Sequence, residues 1–164
     1  MNTQGSPPSH LTAPGQAPLA ARLVSCLRTR RTYLLIYQEY RKQRPKPEFM
    51  ALLDTLIDET QEAIAALSTQ VRRADRSPLA VGVNEKQLAQ GAGRKGVLSK
   101  LNFMLVGSTR ALEWYASQQA AADDPPEVQA MWQQLIALES QHLQTIKSLL
   151  ASLEQPAGES EPPA

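Results

Sequence analysis

Cysteine is almost absent from this chain. The one present, Cys26, excludes an intramolecular disulfide and any paired-cysteine metal site. Its place on the inner side of a helical pattern predicts a packed thiol rather than a reactive one. Long apolar runs are missing too. None reaches the roughly 18 residues a membrane-spanning helix needs. Charge of one sign is not in excess: the net charge of +1 gives no general affinity for polyanions. Nucleic acid is therefore not an expected partner. The opening MNTQGSPPSHLTAPGQAP lacks a basic stretch followed by an apolar one, so no secretory signal is expected and a cytoplasmic location is the expectation. The glycines near Arg94-Lys95-Gly96 lack the spacing and the preceding strand of a phosphate-binding loop. No Ser-His-acid arrangement can be placed.

What is present is helical periodicity. With 164 residues, the chain is long enough to bury roughly two-thirds of its unfolded surface without staples. Residues 1–18 and 155–164 are rich in Pro, Ser, Gly and Gln and are expected to stay disordered; His10 lies in the first of these tails. Between them, over 19–154, four long helices are expected in one domain. The first covers about 19–43, with Leu19, Leu23, Cys26, Leu27, Leu34 and Tyr37 at helical spacing. The second covers about 47–74, through Phe49, Leu53, Leu56, Ala63, Leu67 and Val71. The third covers about 97–122, through Leu101, Met104, Leu105, Leu112 and Tyr115. The fourth covers about 125–153 and opens with Asp124-Pro125-Pro126-Glu127, read as an N-cap acid, a first-turn proline and a capping-box glutamate. About four residues join the first and second helices, and the third and fourth, so each pair should be an antiparallel hairpin. The crossover, 75–96, is long enough to return along the helices, and Asn84 with Gln87 can cap a short helix inside it. Two hairpins with one long crossover make an all-α four-helix bundle.

Glu139-x-x-His142 stands out. At about 100° per residue, Val128, Trp132, Leu135, Glu139, His142, Leu143, Ile146, Leu150 and Leu153 share one face of the last helix. A carboxylate and an imidazole thus sit among large apolar side chains. Burying a charge without a partner is costly, so something in the core must answer Glu139. The inward residue at the middle of the first helix is Arg30, on the third Ser108, and on the second Thr60 and Ala63. Glu59 lies about 90° from the apolar centre of its helix and is expected at the solvent or the bundle edge.

The helix order, the crossover and the segment from Pro125-Pro126-Glu127-Val128 to Leu135-Ile-Ala-Leu-Glu-Ser-Gln-His142 resemble the ferritin-like superfamily, particularly its rubrerythrin-related branch and small bacterial relatives of unassigned function. The resemblance spans about 19–153. It implies a bundle in which two helices each give a Glu and two each give a Glu-x-x-His to a pair of irons or manganeses. Only the last helix keeps that pattern here. A guanidinium cannot deprotonate and repels a divalent metal. The expected centre is therefore a buried polar network of Arg30, Glu139, His142, Ser108 and Thr60 in a non-catalytic bundle with a binding or structural role and no cofactor. The alternative is a metal-binding oxidoreductase or storage protein with a reduced iron, manganese or zinc site held by Glu139 and His142, with Glu59, Glu39 or a water completing the shell. An organic anion bound against Arg30 is a further option.

Two other features carry expectations. Arg22, Arg28, Arg30, Arg31, Arg41, Lys42, Arg44 and Lys46 crowd the first helix and its loop. Acids on the second helix, including Asp54, Asp58, Glu59 and Glu62, should offset them, giving a solvated face with ion pairs. Phe103, Val106 and Trp114 fall on the outer side of the third helix, which marks a covered surface. The cover is either Leu79, Val81 and Val83 of the crossover or a second subunit in a homodimer.

Overall fold

The computed structural model describes residues 17–120 and 123–155. The expectations for His10 and for nearly all of both tails lie outside them. The described residues form five α-helices and no strand: α1 Leu19–Lys42, α2 Pro47–Arg73, α3 Glu85–Ala92, α4 Val97–Gln119 and α5 Pro126–Glu154, with a single 3-10 turn at Pro78–Ala80. Proline opens α2 and α5 where its missing N–H costs nothing. Glu48 and Glu127 sit in the first turns and Arg72 and Arg73 in the last turn of α2, as the helix dipole favours. Asn84 caps α3, its side chain accepting from the Gln87 N–H at 3.0 Å. One start differs from expectation. Pro125 is the N-cap of α5, and the Asp124 carboxylate turns inward instead of capping.

α1 packs along α2 and α4 along α5; α2 meets α5, and α3 lies on α1. Two apolar clusters fill the interior. One holds Leu23 and Leu27 of α1, Leu67 and Val71 of α2, Tyr115 of α4, and Val128 and Trp132 of α5. The other holds Ile36 and Tyr40 of α1, Phe49 and Leu53 of α2, Leu101 and Met104 of α4, and Ile146 and Leu150 of α5. The order in which each helix visits the two clusters gives its direction. α1 and α5 run one way, and α2 and α4 the other. Each long helix passes from one cluster to the other at a polar residue: Arg30, Thr60, Ser108 and the Glu139–His142 pair, all buried. Leu153, placed on the inner stripe by periodicity, is 40% exposed.

The crossover is tied to α1. Arg31 Nη1 donates to the carbonyls of Pro78 at 2.5 Å and Val81 at 2.6 Å. The Asn84 N–H donates to Thr32 Oγ1 at 2.9 Å, and the Tyr40 hydroxyl to the Gly91 carbonyl at 2.6 Å. A Cβ on Gly91 would lie 2.6 Å from Ile36 Cδ1 and 2.7 Å from Phe103 Cε1. Only glycine lets α3 press this closely, and the contact covers Phe103. Leu79, expected to help provide that cover, is 94% exposed.

Candidate functional site

The polar layer between the two clusters is built from opposite sides. α5 presents Glu139 and His142 one turn apart on one face, as their i, i+3 spacing requires. From α1, Arg30 Nη1 donates to Glu139 Oε2 at 3.2 Å; from α4, the Ser108 hydroxyl donates to Glu139 Oε1 at 2.5 Å. The Nδ1 atom of His142 lies 3.9 Å from Glu139 Oε2. Its Nε2 is hydrogen-bonded to Glu59 of α2. Glu59 is half-buried, and the imidazole reaches it across the α2–α5 contact. Four ionisable side chains from three helices, Arg30, Glu139, His142 and Glu59, therefore alternate in sign when the imidazole is protonated.

Each expected member has a place. Arg30, Glu139, His142 and Ser108 come together as expected. Thr60 is buried at the same level, but among the described residues no hydrogen bond joins it to them. Glu59, expected at the solvent or the bundle edge, is half-buried at the α2–α5 edge and bonded to His142. Glu39 stands apart, ion-paired at 2.8 Å with Lys42.

Electrostatics follow from this arrangement. Burial alone would raise the Glu139 carboxyl; the Arg30 guanidinium, with His142 and Ser108, outweighs it and holds the group below the usual carboxylate range. Burial alone would lower His142; the two carboxylates outweigh it and raise the imidazole. Cys26 is pushed up to about 11 by burial, so at neutral pH it is a thiol and a poor nucleophile.

A stability profile with pH is expected. The raised His142 contributes stability that is full below its ordinary 6.5 and is lost as pH rises through the folded value. The lowered Glu139 contributes stability present above its ordinary 4.5 and lost as pH falls through its folded value. Urea midpoints should therefore be highest at mildly acidic pH and fall on both sides. His142→Gln should flatten the alkaline limb. A midpoint that rises steadily from neutral to alkaline pH would contradict the pairing.

The layer does not fit the two-metal centre that the resemblance implies. Glu139 has both oxygens engaged, one by a guanidinium that stays cationic. Both imidazole nitrogens of His142 face carboxylates. Among the described residues, no group of three or more His, Cys, Asp or Glu side chains is disposed to hold a metal ion.

A second buried cluster has no counterpart in the sequence reading. Arg22 grips Asp124 with two bonds, Nη2 to Oδ1 at 2.6 Å and Nη1 to Oδ2 at 3.0 Å. It also donates to Gln118 Oε1 and to the Ala17 carbonyl, each at 2.9 Å. The Trp132 indole N–H donates to Asp124 Oδ2 at 3.0 Å. The spacing Arg22, Cys26, Arg30 put Arg22 on the inner stripe of α1. The Asp-Pro-Pro helix-start pattern masked its partner.

The basic residues of α1 are largely committed. Arg22 and Arg30 are buried in ion pairs, Arg31 holds the crossover, Arg41 pairs with Asp54 and Lys42 with Glu39. Trp114 packs edge-on against Tyr115 and Trp132, and Phe103 stacks on Tyr33. Val106 alone of the outer trio is exposed, at 49%. Searches of protein-family models, curated proteins and solved structures find no match to this chain.

Proposed function

We propose that this chain is a non-catalytic ferritin-like four-helix bundle with a binding or structural role, in which an Arg30–Glu139–His142 network occupies the level where metal-binding members of that superfamily hold their ions. The observation that carries this reading is the polar layer itself. It lies at mid-height between two apolar clusters, and its charges pair, Arg30 with Glu139 and Glu59 with His142. The helix directions, with α1 and α5 opposed to α2 and α4, are those a long crossover between two hairpins produces. No helix among the described residues is long and apolar enough to cross a membrane.

A second reading keeps one specific observation in its favour. Glu59 meets His142, so two carboxylates flank one imidazole. A reduced iron, manganese or zinc site would need Arg30 to leave Glu139, and Glu139 to give up Ser108. Elemental analysis of untagged protein, purified after growth with all three metals, separates the readings. The network reading expects no stoichiometric metal in wild type and none in Glu139→Ala or His142→Ala. Near-stoichiometric metal that disappears in either variant would overturn it.

The homodimer proposed for the Phe103–Val106–Trp114 face has a narrower basis than the sequence suggested. Phe103 is covered within the chain by Tyr33 and α3. A dimer would bury chiefly Val106 and the exposed edge of Trp114.

A further inference from the structure

Arg30 uses only part of its guanidinium. One nitrogen, Nη1, bonds Glu139. Nε is buried with no hydrogen-bond partner, and among the described residues none reaches Nη2. Nε–H and Nη2–H lie on the same edge of the planar group, and that edge is the fork that grips a carboxylate through two parallel bonds. An unpaired Nε–H in a core is expensive, since buried donors are paired in nearly all folded proteins.

Arg30 lines a cavity of about 250 Å³ between α1 and α4. The two helices stand apart there. The side chains facing the gap include the small residues Ser25 and Ala111 as well as Gly107. Tyr33 crosses against Gly107, where a Cβ would fall 2.1 Å from the phenol oxygen. The rest of the wall is aromatic: Tyr33, Phe103, Trp114 and Tyr115. Tyr33 and Tyr115 also lie against the guanidinium, with Arg30 Cζ 5.4 and 5.9 Å from their ring centroids. Exposed Arg110 belongs to the same lining. Among the described residues it has no ion pair.

From this geometry we infer that the cavity binds a small aromatic carboxylate, its carboxylate against the Arg30 guanidinium and its ring among Tyr33, Phe103, Trp114 and Tyr115. The inference rests on the binding role proposed above and names its ligand class. Charge supports a mono-anion. Arg30, Glu139, His142 and Glu59 sum to zero when the imidazole is protonated, and Arg110 balances one added negative charge. A phosphate dianion would place two charges beside Glu139. Size supports one or two fused rings, because the cavity is smaller than the roughly 300–1,000 Å³ that hold drug-sized ligands. Cys26 shares the lining, but as a thiol it adds polarizable surface rather than a nucleophile.

The test is a titration of the full chain with 2-naphthoate, 2-naphthamide and inorganic phosphate, read by calorimetry and by tryptophan fluorescence, since Trp114 lines the cavity. Naphthoate should bind saturably. Naphthamide should bind at least about ten-fold more weakly, the scale expected when charge-assisted hydrogen bonds are lost. Phosphate should not compete. Arg30→Lys keeps the charge and loses the fork, and should weaken naphthoate by roughly ten-fold or more. Two surface variants avoid the folding risk of that change. Arg110→Glu should weaken naphthoate several-fold and Ser25→Trp should block it, with urea midpoints close to wild type. Equal binding of acid and amide, phosphate binding as tight as naphthoate, no saturable signal up to about 1 mM, or affinity untouched by Arg110→Glu and Ser25→Trp would each overturn the inference. Metal content is a separate readout, so failure here and failure of the metal-free network reading are distinguishable.

Discussion

Arg30→Ala should lower the stability of the folded chain by about 3–5 kcal/mol, the range for breaking a buried ion pair by removing one partner. Arg30 and Glu139 are 4% and 3% exposed. Without the guanidinium, the Glu139 carboxylate keeps Ser108 and a 3.9 Å approach to His142, which do not replace a directly bonded cation. The carboxyl must then take up a proton or draw in water, and a cavity opens beside Cys26 and Tyr115. Most of the loss is the penalty on the charge left behind rather than the net value of the pair. A double-mutant cycle tests this directly. Arg30→Met with Glu139→Leu should cost less than the sum of the two single changes, with a coupling of about 0.5–3 kcal/mol. Urea unfolding followed by circular dichroism gives all four values. A single-variant loss below about 1 kcal/mol, or strict additivity, would mean that the two charges do not depend on each other.

Asp124→Ala should cost a similar amount, about 3–5 kcal/mol, although Asp124 lies in a loop. Its carboxylate takes two bonds from Arg22 and one from Trp132, whose side chain is fully buried. Burial alone would raise this carboxyl, but the bonds from Arg22 and Trp132 hold it below its ordinary range. Alanine leaves a buried guanidinium with Gln118 and the Ala17 carbonyl only, and an indole N–H with no acceptor. The cluster joins the start of α1, the end of α4 and the start of α5. The loss should therefore appear as early exchange of amide hydrogens at those three helix ends, before the centres of the helices open. Asp124→Asn keeps the shape and one acceptor oxygen and should lose less. If Asp124→Ala unfolds at the wild-type urea midpoint, or if exchange rises uniformly along the helices, the cluster does not hold that end together.

Much of this protein is a consequence of local periodicity and could be read from the chain. Helix positions follow from apolar spacing and from Pro45, Pro47, Pro125 and Pro126. The Arg30–Glu139 pairing follows because each residue lies mid-helix on its inner stripe, and a buried carboxylate demands a partner. The cap at Asn84 is legible for the same reason: its side chain needs only the next few residues. The remainder depends on which helices meet and how far apart they stand, and a helical period carries no such distance. Glu59 lies well off the apolar centre of α2, yet an imidazole on α5 is long enough to reach it. Phe103 looks like an outward aromatic on α4 until α3 folds over it at Gly91. Asp124 resembles a helix cap in its own loop, and only the approach of Arg22, over a hundred residues away, turns it inward. Ser25, Gly107 and Ala111 are visible in the chain as small residues, but only the placing of α1 opposite α4 brings them together with Arg30 around one cavity.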